Sequence, residues 1–364
     1  MTEVLDDYFK NDSLSAIDSK FEAQKIAFAP YAFQATMALR NLGVLDMLYR
    51  MKGSGATISE IAEDVDVSKY GIGVLLEFGL SMGLVKLKSG LEEPIYILAK
   101  IGYFILKDEM TRVNMDFIND ICYAGAAKME SSIRNGKPEG LKSLGEWNTI
   151  YEGLSILPER QSKSWFAFDH YYSQNAFLEA LPLVFHRPIK KIMDIGGNTA
   201  NWALACADFS SDVEITIVDL PGQCGLARKN IDAAGLSGRI HTYPQNVLAE
   251  DALFPEGHDT VWMSQFLDCF GVNDIVNILR RAKNALGENG KVYIVEPFWD
   301  RQTHEIGAYC LINTSPYFTA LANGTSKMYR ASEFEKFADE AGLEVEEQVD
   351  GLGFGHTLMI CKAK

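Results

Sequence analysis

Apolar positions change their rhythm along this chain, and each change marks an element. From Phe28 through Tyr31, Ala35, Ala38 and Leu39 to Leu42 they recur at spacings of three and four, which predicts a helical stretch within residues 20 to 50. Its apolar surface exceeds what a small domain needs and is expected to meet a second subunit. Thr57-Ile-Ser-Glu60 reads as a capping box opening a helix that carries Ile58, Ile61, Ala62 and Val65. A second helix follows Ser68, carries Val74, Leu75 and Phe78, and ends near Gly83. Leu84 to Leu98 then predicts two short strands around a turn, completing a winged helix-turn-helix pattern.

Residues 111 to 157 read as helical and then irregular, broken at Asn135-Gly-Lys-Pro138 and Glu139-Gly140, and are taken as a linker. The helix expected from Gln161 to Phe185 carries Trp165, Phe166, Phe168, His170, Tyr171, Tyr172 and Phe177. Aromatics at helical spacing make either core or a lid over a ligand, and both readings stay open.

Beyond Phe185 short β-branched runs alternate with helical patterns. Strands are predicted at Ile192 to Ile195, Glu214 to Asp219, Ile240 to Tyr243, Thr260 to Met263 and Val292 to Glu296. Helices are predicted near Asn201, at Pro221 to Ala234, at Asn273 to Leu286 and at Ser332 to Ala341. Leu343 to Val349 and His356 to Cys361 are separated only by a glycine-rich link, which implies an antiparallel hairpin at one edge. The fold class is therefore α/β, a mostly parallel sheet with an antiparallel C-terminal hairpin, joined to an α-rich N-terminal winged-helix domain.

Candidate chemistry gathers where strands end. Gly196 and Gly197 follow the first strand and keep β-carbons away from a bound ligand. Asp219 ends the second strand, where a carboxylate accepts both hydroxyl protons of a ribose. Asn198 and Asn201 occupy the later glycine positions of a dinucleotide fingerprint, so a cofactor with a ribose and no phosphate fits better. In open α/β sheets ligands bind at the carboxyl ends of strands, which adds Asn246, Ser264 to Asp268 and Glu296.

Composition narrows this picture. With 364 residues, 47% hydrophobic and 23% charged, the chain can bury a sizeable core, expected in two domains. No apolar run is long enough to span a bilayer, and the N-terminus is acidic, so the expected location is the cytoplasm. Six scattered cysteines without a C-x-x-C pair suit reduced thiols, and no metal is expected. A formal net charge of -15 argues against nucleic acid and anionic membranes as partners. Residues 1 to 100 hold ten Lys plus Arg against fourteen Asp plus Glu, and the helix from Lys69 to Met82 offers one Lys and no Arg. Phosphate contacts need cations there, so the winged helix is read as a packing or dimerisation module.

The order Asp194-Ile-Gly-Gly197, Val218-Asp-Leu-Pro221, Gln245-Asn246, Gln265-Phe-Leu-Asp-Cys-Phe270, Val295-Glu-Pro297 and Lys327-Met-Tyr-Arg-Ala-Ser-Glu-Phe334 resembles the S-adenosylmethionine-dependent small-molecule O-methyltransferases, the group with caffeate and polyketide methyltransferases. The resemblance covers nearly the whole chain. It implies a Rossmann-like class I methyltransferase sheet in residues 186–364, a winged-helix dimerisation domain in residues 1–110, and a helical linker with cofactor-covering helices in residues 111–185. It also implies a homodimer acting on a small aromatic acceptor, with S-adenosylhomocysteine as the product cofactor.

Carried over by position, Asp194, Gly196 and Gly197 lie by the methionine part, Asp219 and Leu220 by the ribose, and Asn246 and Val247 by the adenine. Ser264 lines the sulfonium side and Tyr172 covers the cofactor. Gln265, Trp299, Phe318 and Asn323 are expected at the acceptor, on an aromatic-rich wall that also holds Tyr309 and Tyr317.

The sequence departs from the family at Asn198 and Ala200, where glycines are usual, and at Asn246, where an aspartate is usual. The family's catalytic histidine is replaced by Asp268 in Asp268-Cys-Phe270. A phenol of pKa about 10 loses its proton poorly to a carboxylate of about 4. Burial and the neighbouring Glu296 are expected to raise Asp268. Three alternatives stay open: Asp268 is the base, His170 or His356 replaces it, or the acceptor is an activated ring carbon. O-methylation leads and C-methylation is second. The competing classes are a retired cofactor-binding or ligand-sensing protein, a transcriptional regulator and a dehydrogenase.

Overall fold

The computed structural model describes Leu5, residues 9–88 and residues 93–364, which form two compact units, Asp12–Asp116 and the remainder. In the first, helices Ala16–Ala27 and Ala29–Asn41 precede α1 (Ile58–Asp64) and α2 (Lys69–Ser81). Thr57 Oγ1 accepts from Glu60 N at 3.3 Å while Thr57 N donates to Glu60 Oε2 at 2.8 Å, so the capping box is reciprocal. Strands β1 (Val85–Leu87) and β2 (Tyr96–Leu98) pair antiparallel, and the expected turn at residues 89–92 lies outside the described residues. Leu39, Leu45, Leu48, Ile61, Ile72 and Leu76 are fully buried in this unit, whereas Phe21, Ile26, Phe28, Tyr31 and Leu42 are exposed.

The second unit is built on seven strands: β3 (Lys191–Ile195), β4 (Glu214–Asp219), β5 (Ile240–Pro244), β6 (His258–Ser264), β7 (Leu286–Glu296), β8 (Leu343–Leu352) and β9 (His356–Ala363). Their spatial order is β5-β4-β3-β6-β7-β9-β8. The first five run parallel, and β9 inserts antiparallel between β7 and β8. Val292, Ile294 and Val295 are fully buried because β7 is covered on both faces. One face packs on α3 (Glu159–Val184), α4 (Asn201–Phe209) and α5 (Pro221–Ala233). The other packs on α6 (Val272–Asn284) and α8 (Ala331–Ala341).

The segment expected as a linker is an integral part of this unit. Phe117, Ile121, Leu141, Ile150, Leu154 and Leu157 bury their side chains with Trp165 of α3 and with Leu311, Tyr317 and Phe318 from α7 (Glu305–Tyr317) and the turn after it. Its irregular path follows from close backbone approach: a Cβ on Gly125 would lie 2.6 Å from the Gly140 carbonyl oxygen. Among the described residues no helix is long and apolar enough to cross a membrane.

Candidate active site

The carboxyl ends of β3 to β6 border a cavity of about 350 Å3. Gly196 turns the chain there with φ +78°, and a Cβ on it would fall 2.2 Å from Phe266 Cδ2. At Gly197 a Cβ would lie 2.7 Å from Asp194 Oδ2 and 2.8 Å from Ile217 Cγ2. Both glycines are therefore demanded first by packing, and only then by a ligand. Asn198 (φ 49°) and Ala200 (φ 72°) hold the left-handed conformation that glycine takes at least cost.

Asn198 makes use of its side chain. Its backbone N–H donates to Asp219 Oδ2 at 2.9 Å, its Nδ2 donates to Asp169 Oδ2 at 3.1 Å, and its Oδ1 accepts from Gln223 Nε2 at 3.0 Å. Asp219 Oδ1 accepts from Leu220 N at 2.7 Å. Each Asp219 oxygen so keeps further acceptor capacity for a diol. Burial pushes Asp219 up to about 6, against two backbone N–H donors that pull it down. Asp194 rises to about 8, by burial and then by the Asp219 charge, and its Oδ2 has no partner among the described residues.

Behind these acids Trp202 and Trp262 stack at 3.8 Å and 10°, both on the cavity wall. Ser264 Oγ at the end of β6 is buried without a described partner. Asn246 Oδ1 accepts from Leu248 N at 3.0 Å, which leaves its amide N–H groups and one oxygen lone pair for a ligand. Leu220 and Val247 also line this cavity.

A second chamber of about 60 Å3 shares Tyr151, Trp165, Asp169, Gln265 and Cys269 with the first. Phe117 and Phe168, stacked at 4.0 Å, wall it with Tyr172, Tyr317 and Phe318. Trp165 Nε1 donates to Tyr317 Oη at 3.0 Å, which locks two of these rings. Asp268 lines this chamber alone, on the short turn Leu267–Cys269. That turn is held from beneath: Phe266 N and Leu267 N donate to Glu296 Oε1 at 3.1 and 2.9 Å. Glu296 is buried, its Oε2 has no described partner, and burial with the Asp268 charge pushes it well above the usual carboxylate range. Burial raises Asp268 to about 6.

Asp169 was not among the sequence candidates. It borders both chambers, and burial followed by the Asp268 charge raises it to about 7. A lone carboxylate inside the aromatic run Trp165-Phe-Ala-Phe-Asp-His-Tyr-Tyr172 was the signal for it. Tyr151, also at the junction, came from the stretch read as linker, and burial holds its phenol well above the usual range.

Five sequence expectations land elsewhere. Tyr172 faces the small chamber, and Asp169, His170, Ser173 and Phe177 of the same helix face the large one. Trp299 borders neither; its ring packs on Phe9 at 5.6 Å and under the Arg330 guanidinium at 4.6 Å. Asn323 reaches the large cavity, but its Nδ2 is spent on Cys269 O and Ser326 Oγ and its Oδ1 on Thr325 N and Ser326 N. His356 is buried in the β8–β9 hairpin and pushed down to about 4, away from both chambers. His170 reaches only the large cavity, 3.4 Å from Thr199 Oγ1. Gln265 borders both chambers with φ 45° and Phe318 the small one. Among the described residues no cluster of metal-ligating side chains occurs.

The sheet order, the glycine turn after its central strand and the acid ending the next strand define a Rossmann-like methyltransferase. The family described as O-methyltransferase domain matches residues 172–344, and that described as Dimerisation2-like domain matches residues 20–91. L-tyrosine C(3)-methyltransferase of Streptomyces lavendulae is 25% identical over 324 residues, 88% of this chain and 86% of that one. The S-adenosylmethionine-dependent methyltransferase SibL, solved in its apo form, superposes with a TM-score of 0.69 at 25% identity, covering 93% of this chain and 98% of that one. NcsB1, an O-methyltransferase from neocarzinostatin biosynthesis, was solved with S-adenosylmethionine and 2-hydroxy-5-methyl naphthoic acid. It has a TM-score of 0.65 at 19% identity over 91% of this chain and 96% of that one. The chain belongs to the S-adenosylmethionine-dependent small-molecule methyltransferases. It is an enzyme of that kind, with S-adenosylmethionine as its cofactor.

Proposed function

We propose that the large cavity holds S-adenosylmethionine and that a small aromatic acceptor enters the second chamber. Asp194, Gly196 and Gly197 lie by the amino acid part, Asp219 and Leu220 by the ribose, Asn246 and Val247 by the adenine, and Ser264 by the sulfur. The donor set supports this: Glu152, Asp169, Asp194, Asp219 and Asp274 line the cavity, and among the described residues no Lys or Arg does. Acids raised by burial gain most from a ligand that brings positive charge. When bound, S-adenosylmethionine supplies an electrophilic methyl group on a sulfonium.

The observation behind this reading is the junction, where Tyr151, Trp165, Asp169, Gln265 and Cys269 belong to both chambers. The aromatic walls exclude water and align the acceptor, which is most of what methyl transfer needs. Asp268, raised by burial and seated on Glu296, receives the acceptor's hydroxyl proton in the leading O-methylation reading. Ring C-methylation is the second reading, favoured by the paired acids. Asp169 and Asp268 can hold the hydroxyl proton and take the ring proton separately. NMR of the product distinguishes the two.

The chain is taken to divide near residue 116 rather than at 110 and 185, since residues 117–185 pack within the second unit, and to act in the cytoplasm as a homodimer. The exposed Phe21, Ile26, Phe28 and Tyr31 on the N-terminal helices supply apolar surface for that contact. Calorimetry with S-adenosylmethionine and S-adenosylhomocysteine tests the cofactor site, and transfer of a labelled methyl group to a phenol panel tests the reaction. No detectable cofactor binding would sink the proposal; binding without transfer would favour a retired relative.

A further inference from the structure

A hydroxyl acceptor brings two needs to the junction of the chambers. Its proton must leave, and its oxygen must stay pointed at the methyl group. Asp268 answers the first, but an ionised carboxylate can only accept, and among the described residues neither chamber has a Lys or Arg on its wall. A group able to donate is still missing. Of the residues shared by both chambers, Trp165 Nε1 already donates to Tyr317 Oη at 3.0 Å and Cys269 Sγ to Asp268 Oδ1 at 3.5 Å. Asp169 is a further carboxylate, and Gln265 buries its carbonyl oxygen, another acceptor, without a described partner.

Tyr151 is different. Its Oη is buried without a described hydrogen-bond partner, and its polar neighbour is the Cys269 thiol, whose own hydrogen goes to Asp268. Sulfur is a weak acceptor. A buried hydroxyl with nothing better to bond is destabilising, and an acceptor oxygen at the junction would satisfy it. Ile150 and Leu154, buried on the same short helical stretch, fix where the ring points. Burial holds the phenol well above its usual range, so it keeps its proton wherever Asp268 can serve as base.

We propose that Tyr151 is a further catalytic residue: its hydroxyl donates to the acceptor's reacting oxygen and holds a lone pair of that oxygen toward the methyl group while Asp268 takes the proton. This rests on the reading of the second chamber as the acceptor site. The oxygen gives its proton to Asp268 and an electron pair to the methyl carbon. The carbon–sulfur bond parts with its pair on sulfur, and Tyr151 keeps its own proton throughout.

The test compares p-cresol with p-thiocresol, which differ only in the reacting atom, on the wild type and on Tyr151→Phe. By calorimetry on protein saturated with S-adenosylhomocysteine, the variant should bind p-cresol about three- to tenfold more weakly, the size of one neutral hydrogen bond. Its affinity for p-thiocresol should stay within about twofold. In methyl transfer, kcat/KM should fall about tenfold or more for p-cresol and less than about threefold for p-thiocresol, because sulfur gains little from the lost donor. Retained S-adenosylhomocysteine affinity reports that the variant folds. Equal losses on the two acceptors, an unchanged response to p-cresol, or wild-type protein that holds the cofactor and binds neither probe overturns the proposal. So does a variant that fails to fold, since the hydroxyl would then be structural. Loss of cofactor binding by the wild type would overturn the proposed function itself.

Discussion

The two chambers meet at five residues yet are assembled in opposite ways. The large one is bounded by strand ends and the turns after them, so Asp194, Asp219 and Ser264 are placed by sheet pairing and Gly197 and Asn246 by the turns that follow it. The small one is bounded by segments as distant as Phe117, Tyr151, Phe168, Asp268 and Tyr317, brought together mainly by side-chain packing. A sheet fixes its edges by backbone geometry, whereas a packed helical wall depends on which side chains fill it. Such a division leaves cofactor binding on a rigid frame and lets acceptor choice vary with the wall.

Substitutions can separate the halves. Asp268→Asn is expected to lower turnover by about 10²- to 10⁴-fold, the usual contribution of a general base, with S-adenosylhomocysteine affinity nearly unchanged. Steady-state kinetics beside calorimetry checks it, and parallel losses in both would erase the distinction. Asp219→Ala should weaken S-adenosylmethionine and S-adenosylhomocysteine alike by about 10- to 100-fold, the cost of about one hydrogen bond to a charged acceptor.

The pH dependence has a definite sign. Asp169 near 7 and Asp268 near 6 must be ionised to accept a proton, so kcat/KM should level off above 7, fall about tenfold per pH unit between 7 and 6, and fall about 100-fold per unit below 6. Asp268→Asn should remove the limb belonging to that acid. The smallest effect is expected at Ala200, buried with φ 72°: Ala200→Gly relieves a left-handed alanine and should add about 1 kcal/mol to stability, read from denaturant midpoints, without altering acceptor ranking.

The large cavity was the more legible half because its residues follow one another along the sequence. Short β-branched apolar runs placed the strands, and the strand-end rule pointed from them to Asp219, Asn246 and Ser264. Missing from that reading was Asn198, read only as a departure from glycine; its three hydrogen bonds link Asp219, Asp169 and Gln223. The small chamber was poorly legible because nothing local in Tyr151 or Asp169 reveals that Asp268, 117 and 99 residues further along the chain, folds back beside them. Asn323 and Trp299 were over-read for the same reason: polarity and aromaticity in the right stretch do not disclose a turn or an arginine that has already claimed the side chain.

The stacked indoles of Trp202 and Trp262 give the enzyme a built-in optical gauge. Both line the large cavity, beside Asp194 and Asp219, whose carboxyls burial pushes up. Tryptophan emission responds to nearby charge and to loss of water, so filling the cavity should alter this pair's fluorescence without any attached dye. Rapid mixing could then follow the arrival of the cofactor through this pair, while Trp165, which borders both chambers, also responds to the acceptor.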